Sequence, residues 1–171
     1  MEVRSTHITV TQAVPEDAGD LLAFLKQVGA ETDNLSFGGE GLPFGEAEEA
    51  AFLAGIQNSE DAVMLVAKAD WRIIGNASLN RMPRRMRHRG DVAVAVARDW
   101  WNCGVGSRFM SALIDFARSH QITVLDLQVR SDNHAAIHLY EKFGFQQIGV
   151  HPAFFRIDGR DIPFTMMCCT L

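Results

Sequence analysis

The stretch DVAVAVARDWWNCGVGS at residues 91–107 decides how this chain is read. Its first seven residues put Val92, Val94 and Val96 on one face of an extended strand and Ala93, Ala95 and Ala97 on the other, because side chains alternate across a strand. Branched side chains pack a core, while methyl groups leave room for something to lie close to the strand. Residues 99–107 follow, carrying Gly104 and Gly106, and then an amphipathic run over 104–119 in which Val105, Phe109, Leu113 and Phe116 recur at helical spacing. The stretch is therefore a strand, a glycine-bearing turn and the start of a helix. Such a turn aims backbone N–H groups at a helix N-terminus, where the partial positive charge favours a phosphate. Taken alone, the Gly-x-Gly equally fits a tight turn with no ligand. Two familiar phosphate loops are excluded: a dinucleotide fingerprint needs a third glycine where Phe109 stands, and a Walker loop needs a lysine that is absent here.

On the N-terminal side, residues 7–13 alternate Ile8 and Val10 with Thr9 and Thr11 and predict a strand. Pro15, Glu16 and Asp17 open a helix whose apolar stripe is Ala18, Leu21, Leu22, Leu25 and Val28. Gly38, Gly39, Gly41, Pro43 and Gly45 mark 34–45 as a loop, and 46–57 reads as a second helix with Phe52, Leu53 and Ile56 on one face. Runs at 62–67 and 72–79 predict a hairpin turning at 69–71. On the C-terminal side the pattern predicts strands at 122–129, 145–150 and 164–169 and a helix over 133–143. The element order β-α-α-β-β-β-α-β-α-β-β defines a mixed α/β (α+β) sheet of about seven strands, antiparallel in its first part, with about four helices.

At 171 residues, 47 % apolar and 22 % charged, the chain has the balance of one folded domain, expected to span residues 1–171. No apolar run approaches the roughly 20 residues of a membrane helix, and the alternating start over residues 1–11 is unlike a secretion signal. These features predict a cytoplasmic protein without membrane contact. Cys103, Cys168 and Cys169 form an odd set with no Cys-x-x-Cys pair, which signals neither a disulfide framework nor a zinc site. Cys168 and Cys169 read as small buried hydrophobes.

The net charge of −5 argues against a nucleic acid as main partner, but it is unevenly spread. Residues 1–61 hold 2 basic and 12 acidic side chains, a net of −10, and residues 62–171 hold 14 and 9, a net of +5. Such asymmetry points to two ligands, or to one ligand with differently charged ends.

Asn133, Ala136 and Tyr140 are spaced by three and four residues and share one helix face. A short Ala136 admits a ligand close to that helix, while Asn133 can cap it. A plain cap and a half-buried aromatic would give the same pattern.

Together, residues 91–107 and the run 133–145 (NHAAIHLYEKFGF) resemble the acetyl-CoA-binding part of the GNAT superfamily of N-acetyltransferases. The family turn is usually Arg/Gln-x-x-Gly-x-Gly/Ala, and Trp101 departs from it at the first position. Because the family holds pyrophosphate mainly through backbone amides, a changed side chain leaves those contacts in place. The resemblance implies acetyl-CoA as co-substrate, with no metal. It assigns the contacts to Val94, Ala95 and Val96 on the strand, to Trp101, Asn102, Cys103, Gly104, Val105, Gly106 and Ser107 in the turn, and to Asn133, Ala136 and Tyr140 on the helix. It further implies direct attack of an amine on the thioester, with the Val94 N–H polarising the carbonyl and Tyr140 as general acid toward the departing thiolate. Asp91, or Glu31 after the first helix, is a candidate base, and Glu31 alternatively binds the acceptor. In the family the first two helices form much of the acceptor side, so residues 1–61 would face the acceptor and 62–171 would bind acetyl-CoA. The acidic part then predicts a small cationic amine acceptor.

Other features fit less sharply. Arg81, Arg84, Arg85, Arg87, Arg89 and His88 form either an anion- or RNA-binding loop or a solvated hairpin tip, and the loop lacks an aromatic side chain for base stacking. His134 and His138 have metal-ligand spacing but no third ligand. Cys103 has no partner base in the sequence. The alternatives to a small-amine acetyltransferase are a non-catalytic CoA-binding or sensing module and a protein N-terminal acetyltransferase associated with RNA or the ribosome through the 81–89 loop. A homodimer is compatible with each.

Overall fold

A computed structural model describes residues 7–171; the alternation expected over residues 1–6 lies outside the described residues. Seven strands form one sheet: β1 (Ile8–Gln12), β2 (Ala62–Ala69), β3 (Arg72–Arg81), β4 (Arg89–Val96), β5 (Val124–Arg130), β6 (Gln146–Ile157) and β7 (Arg160–Thr170). Their order across the sheet is β1-β2-β3-β4-β5-β7-β6. Every pairing is antiparallel except β4 with β5. Parallel neighbours need a crossover, and helix α3 (Val105–Ser119) supplies it. Helices α1 (Ala18–Glu31), α2 (Glu46–Ile56) and α4 (His134–Lys142) complete the mixed α/β architecture.

The alternation of β4 sorts its side chains between two cores. Val92, Val94 and Val96 pack with Val105, Phe109, Met110 and Leu113 of α3 and Ile137 and Tyr140 of α4. Ala95 and Ala97 pack on the other face with Leu21, Phe24, Leu25 and Val28 of α1 and Leu53 of α2. Burying a side chain of the size of Phe109 or Leu113 contributes about 2–3 kcal/mol, so the α3 stripe is enough to hold the crossover against the sheet. On the opposite face, α1 and the loop after it make a close backbone approach: a Cβ on Gly29 would sit 2.1 Å from the Gly38 carbonyl oxygen. Only glycine fits there, and the loop is seated on the helix.

Three strands differ in extent from the sequence expectation for identifiable reasons. The strand expected to begin at Ile122 begins at Val124, because Gln121 adopts a left-handed φ of 59° and the Ile122 N–H donates to the Ala117 carbonyl at 2.8 Å, closing α3. The strands expected at 145–150 and 164–169 are the parts farthest from the turn of a longer hairpin, β6 and β7. Its turn is Asp158-Gly159, with φ of 50° and 75°, the positive angles that an Asp-Gly two-residue turn favours. Of the two cysteines expected to be buried, Cys169 is, whereas Cys168 points to the other face of β7 and is half-buried.

Candidate active site

Between β4 and β5 the sheet opens. Their pairing runs only from Arg89 with Val124 to Asp91 with Asp126. Beyond that point β4 stays paired with β3 as far as Val96, and β5 with β7 as far as Arg130, yet the two strands no longer pair with each other. The result is a wedge in the middle of the sheet whose β4 side is the backbone of residues 92–96. Buried main-chain polar groups are rarely left unpaired, so this open edge is a place where a ligand can supply hydrogen-bond partners. Val94, Ala95 and Val96 line it, each half-buried.

The turn after β4 sits at the mouth of the wedge. A single 3-10 turn, Arg98–Trp100, leads into it, and α3 begins after Gly104, whose φ is 78°. Among the described residues, the N–H groups of Asn102, Cys103, Gly104, Val105, Gly106 and Ser107 donate to no protein acceptor. That row of free donors at a helix N-terminus has the geometry that suits an anion. The two glycines have different reasons: Gly104 has open space around it and is needed for its positive φ, whereas a Cβ on Gly106 would sit 2.7 Å from Leu139 Cδ2 of α4. Trp101, the departure from the family pattern, turns its indole back so that Nε1 donates to the Val96 carbonyl at 2.8 Å, tying the turn to the end of β4. Its side chain thus shapes the turn. Cys103 is exposed and its Sγ lies 3.5 Å from the Trp101 carbonyl oxygen.

Asn133 caps α4, its Oδ1 accepting the Ala136 N–H at 3.3 Å. Ala136 and Tyr140 belong to the same core as Val94, Val96 and Val105, so the structure brings α4, the α3 N-terminus and the open strand together. Tyr140 is 8 % exposed, and burial pushes its phenol up to about 12. Its hydroxyl has no hydrogen-bond partner in the protein but is not sealed: among the described residues Arg81 Nε, an ion-pair neighbour of Asp61, is the buried side-chain atom without a hydrogen bond.

The two candidate bases differ sharply. Glu31 Oε1 accepts from Gln27 Nε2 at 2.7 Å, Oε2 accepts the Arg98 N–H at 2.9 Å, and the Arg98 guanidinium donates to the Glu31 carbonyl. Oε2 and the Glu31 carbonyl thus fasten the end of α1 to the residues after β4, while Oε1 stays within α1. Asp91 stands at the last β4–β5 pair, where the wedge begins, with Oδ1 accepting from Gln128 Nε2 at 3.1 Å. Burial raises its carboxyl above the ordinary range, against the pull of the Gln128 hydrogen bond.

Within the basic loop, three arginines are occupied. Arg81 donates to the His120 carbonyl and lies 3.5 Å from Asp61, Arg87 pairs with Asp61 at 2.8 Å, and Arg89 pairs with Asp126 at 2.8 Å. His134 and His138 are exposed, and among the described residues no three His, Cys, Asp or Glu side chains gather as metal ligands. No described helix is long and apolar enough to cross a membrane. Sequence reasoning passed over Asp126 and Gln128; the alternation in VLDLQVR shows them on one strand face, but not that this face meets Asp91.

The fold and site define an α/β protein with a row of free N–H groups beside a parted pair of parallel strands. The sequence model of the acetyltransferase (GNAT) family matches residues 32–145, and the chain belongs to that family. A GNAT-family acetyltransferase structure from Streptococcus pneumoniae superposes with a TM-score of 0.92 at 32 % identity, covering 96 % of this chain and 100 % of that one. The N-alpha-acetyltransferase RimI of Mycobacterium tuberculosis is 33 % identical over 96 residues, 56 % of this chain and 59 % of its own length. The L-amino acid N-acetyltransferase AaaT of Escherichia coli is 32 % identical over 84 residues, 48 % of this chain and 52 % of its own. The match thus spans little more than half the length of either curated relative. A Salmonella typhimurium structure, yncA with acetyl-CoA, shares the fold at 22 % identity, a TM-score of 0.83, and coverage of 96 % of this chain and 94 % of that one.

Proposed function

We propose that the protein transfers the acetyl group of acetyl-CoA to an amine, with a small cationic amine as acceptor. The observation that carries this reading is the wedge, with unpartnered N–H groups of residues 102–107 at its mouth and Tyr140 in the core behind it. These residues suit a ligand with a pyrophosphate and an extended arm: the turn would hold the phosphates and the residue 92–96 edge would pair with the arm. Acetyl-CoA brings an acetyl group already activated as a thioester.

The remaining steps fall to this chain. The amine must reach the thioester as a free base, since its protonated form is no nucleophile. Asp91, with Oδ2 unengaged and a raised proton affinity, is the better-placed acceptor of that proton; each Glu31 carboxylate oxygen already accepts a hydrogen bond. The Val94 N–H on the open edge would stabilise charge on the carbonyl oxygen. Tyr140, held near 12, stays protonated at any working pH. Its raised proton affinity disfavours full transfer to the departing thiolate, whose conjugate acid ordinarily titrates at about 8.5. It therefore serves as a hydrogen-bond donor to the departing sulfur, a milder role than that of an obligatory acid. Tyr140→Phe is accordingly expected to lower kcat by about tenfold with KM for acetyl-CoA nearly unchanged. An undiminished kcat would remove Tyr140 from the reaction.

The cationic acceptor follows from charge. Asp20, Asp33, Glu40, Glu46 and Glu48 are exposed on α1, α2 and the loop between them, and Glu31 fastens the start of that loop beside the end of β4. A second reading, acetylation of a protein N-terminus, is favoured by the likeness to RimI, whose acceptor also presents an α-amine. Attachment to RNA through the basic loop has less support, because Arg81, Arg87 and Arg89 are taken by protein partners. In this reading the two parts of the chain divide the work, residues 1–61 toward the acceptor and 62–171 toward acetyl-CoA.

The test is an acceptor screen with acetyl-CoA and a thiol-release readout, sorted by acceptor charge and run beside a CoA thermal shift. Spermidine, lysine and a basic peptide with a free N-terminus are expected to react faster than glutamate or taurine. Turnover with acidic acceptors alone would overturn the cationic assignment. Stabilisation by CoA without thiol release from any acceptor would identify a binding module instead, and no stabilisation would exclude both.

A further inference from the structure

At the point where β4 and β5 part, the strand registers align a row of polar side chains across the sheet. Asn80 on β3 pairs with Asp91 on β4, Asp91 with Asp126 on β5, Asp126 with Cys168 on β7, and Cys168 with Gln146 on β6. Asp91 and Asp126 are therefore neighbours on adjacent strands, about 4.8 Å apart in backbone. The Asp126 charge therefore acts on the Asp91 carboxyl, raising it. Two further side chains on the same sheet face, each two residues along a strand, connect to them. Arg89 Nε donates to Asp126 Oδ2 at 2.8 Å, and Gln128 Nε2 donates to Asp91 Oδ1 at 3.1 Å. Each strand thus sends one side chain across to the other strand's carboxylate. Asp126 is largely covered and its charge is answered by Arg89; Asp91 keeps Oδ2 free.

We propose that Asp126 and Gln128 are positioning residues for Asp91: the Gln128 amide aims its carboxylate, and the Arg89–Asp126 pair on the neighbouring strand tunes its affinity for a proton. This rests on the reading of Asp91 as the base. The influences are opposed. Burial raises the Asp91 carboxyl, the Gln128 hydrogen bond lowers it, the Asp126 charge raises it and the Arg89 charge lowers it. Of the other members of the row, Asn80 and Gln146 carry no charge, and Cys168 is not among the groups that move the Asp91 carboxyl. Opposed influences make the prediction a set of signs that general structural damage would not reproduce.

The experiment titrates the Asp91 carboxyl directly, by carbon NMR of the full chain labelled at aspartate, with its resonance assigned by its loss in Asp91→Asn. Asp126→Asn can still accept from Arg89, but it removes a negative charge and leaves Arg89 less screened, so the Asp91 midpoint should move down. Gln128→Met removes the hydrogen bond to the charged form, so the midpoint should move up; Arg89→Gln should also move it up. The acid limb of kcat/KM, measured with the best amine of the acceptor screen, should follow in the same directions. At a fixed pH on that limb, Gln128→Met should lose about threefold. Midpoints that stay put, or that move the same way in Asp126→Asn and Gln128→Met, would overturn the proposal. Should Asp126→Asn not fold, the opposed signs are read from Gln128→Met and from Gln128→Lys, whose added positive charge should move the midpoint down. The base assignment fails separately, if Asp91→Asn keeps the acid limb while the NMR midpoints shift as stated.

Discussion

Asp91→Asn is expected to lower kcat by about 10²- to 10³-fold, the usual contribution of a positioned general base, and to abolish the acid limb of the pH profile. Affinity for acetyl-CoA should be unchanged, because the variant touches neither the turn nor the residue 92–96 edge. Unfolding is not the expected cause of the loss. The folded protein raises the Asp91 carboxyl, chiefly by burial, so between its unfolded and folded titration ranges the native state holds more protons than the unfolded one. Stability then falls as pH rises through that window, and the cost of the charged form persists above it. Asn removes that cost and can still accept from Gln128. The variant should accordingly melt no lower than the parent at neutral pH, and its deficit should grow less marked at alkaline pH, where the amine is already free. A kcat within threefold of the parent at every pH would exclude Asp91 as the base.

Gly104→Val is expected to weaken CoA binding about 100-fold by calorimetry. The cause is conformational, since nothing lies within 4 Å of a Cβ at this position while its φ is 78°. A β-branched residue is strained there by about 1–3 kcal/mol and relieves the strain by turning the backbone. Rotation would re-aim the N–H groups of residues 102–107, and losing one or two hydrogen bonds to a charged phosphate accounts for the rest. Gly104→Asn provides the control, because asparagine tolerates the left-handed region; it should bind CoA nearly as tightly as the parent. If Val binds equally well, the phosphates are held elsewhere.

Much of the site is legible in the amino-acid sequence. Gly104 and Gly106, the Val/Ala alternation of β4 and the spacing of Asn133, Ala136 and Tyr140 are local patterns, and the structure gathers α4, the α3 N-terminus and β4 into one core. Glu31 is visible in the sequence only as a carboxylate in the acceptor region; its attachment to the Arg98 N–H joins residues 67 apart and has no sequence signal. The Asp158-Gly159 turn does have one, an Asp-Gly pair between apolar runs, and it accounts for the length of β6 and β7. The 81–89 loop shows the opposite case: its basic composition is plain, but its partners Asp61 and Asp126 come from elsewhere in the chain.

By itself, the sequence determined the order and kind of the elements, the turn that exposes N–H groups and the split of charge between the two parts of the chain. Those features depend on side-chain alternation, helical spacing and the conformational freedom of single residues, all of which act within a few positions. Only the tertiary structure decided that β4 and β5 part after Asp91, that Asp126 and Gln128 stand beside it, and that both Glu31 carboxylate oxygens are hydrogen-bonded. Strand register and the partner of each charge arise from packing between segments far apart in the chain, and no local pattern encodes them.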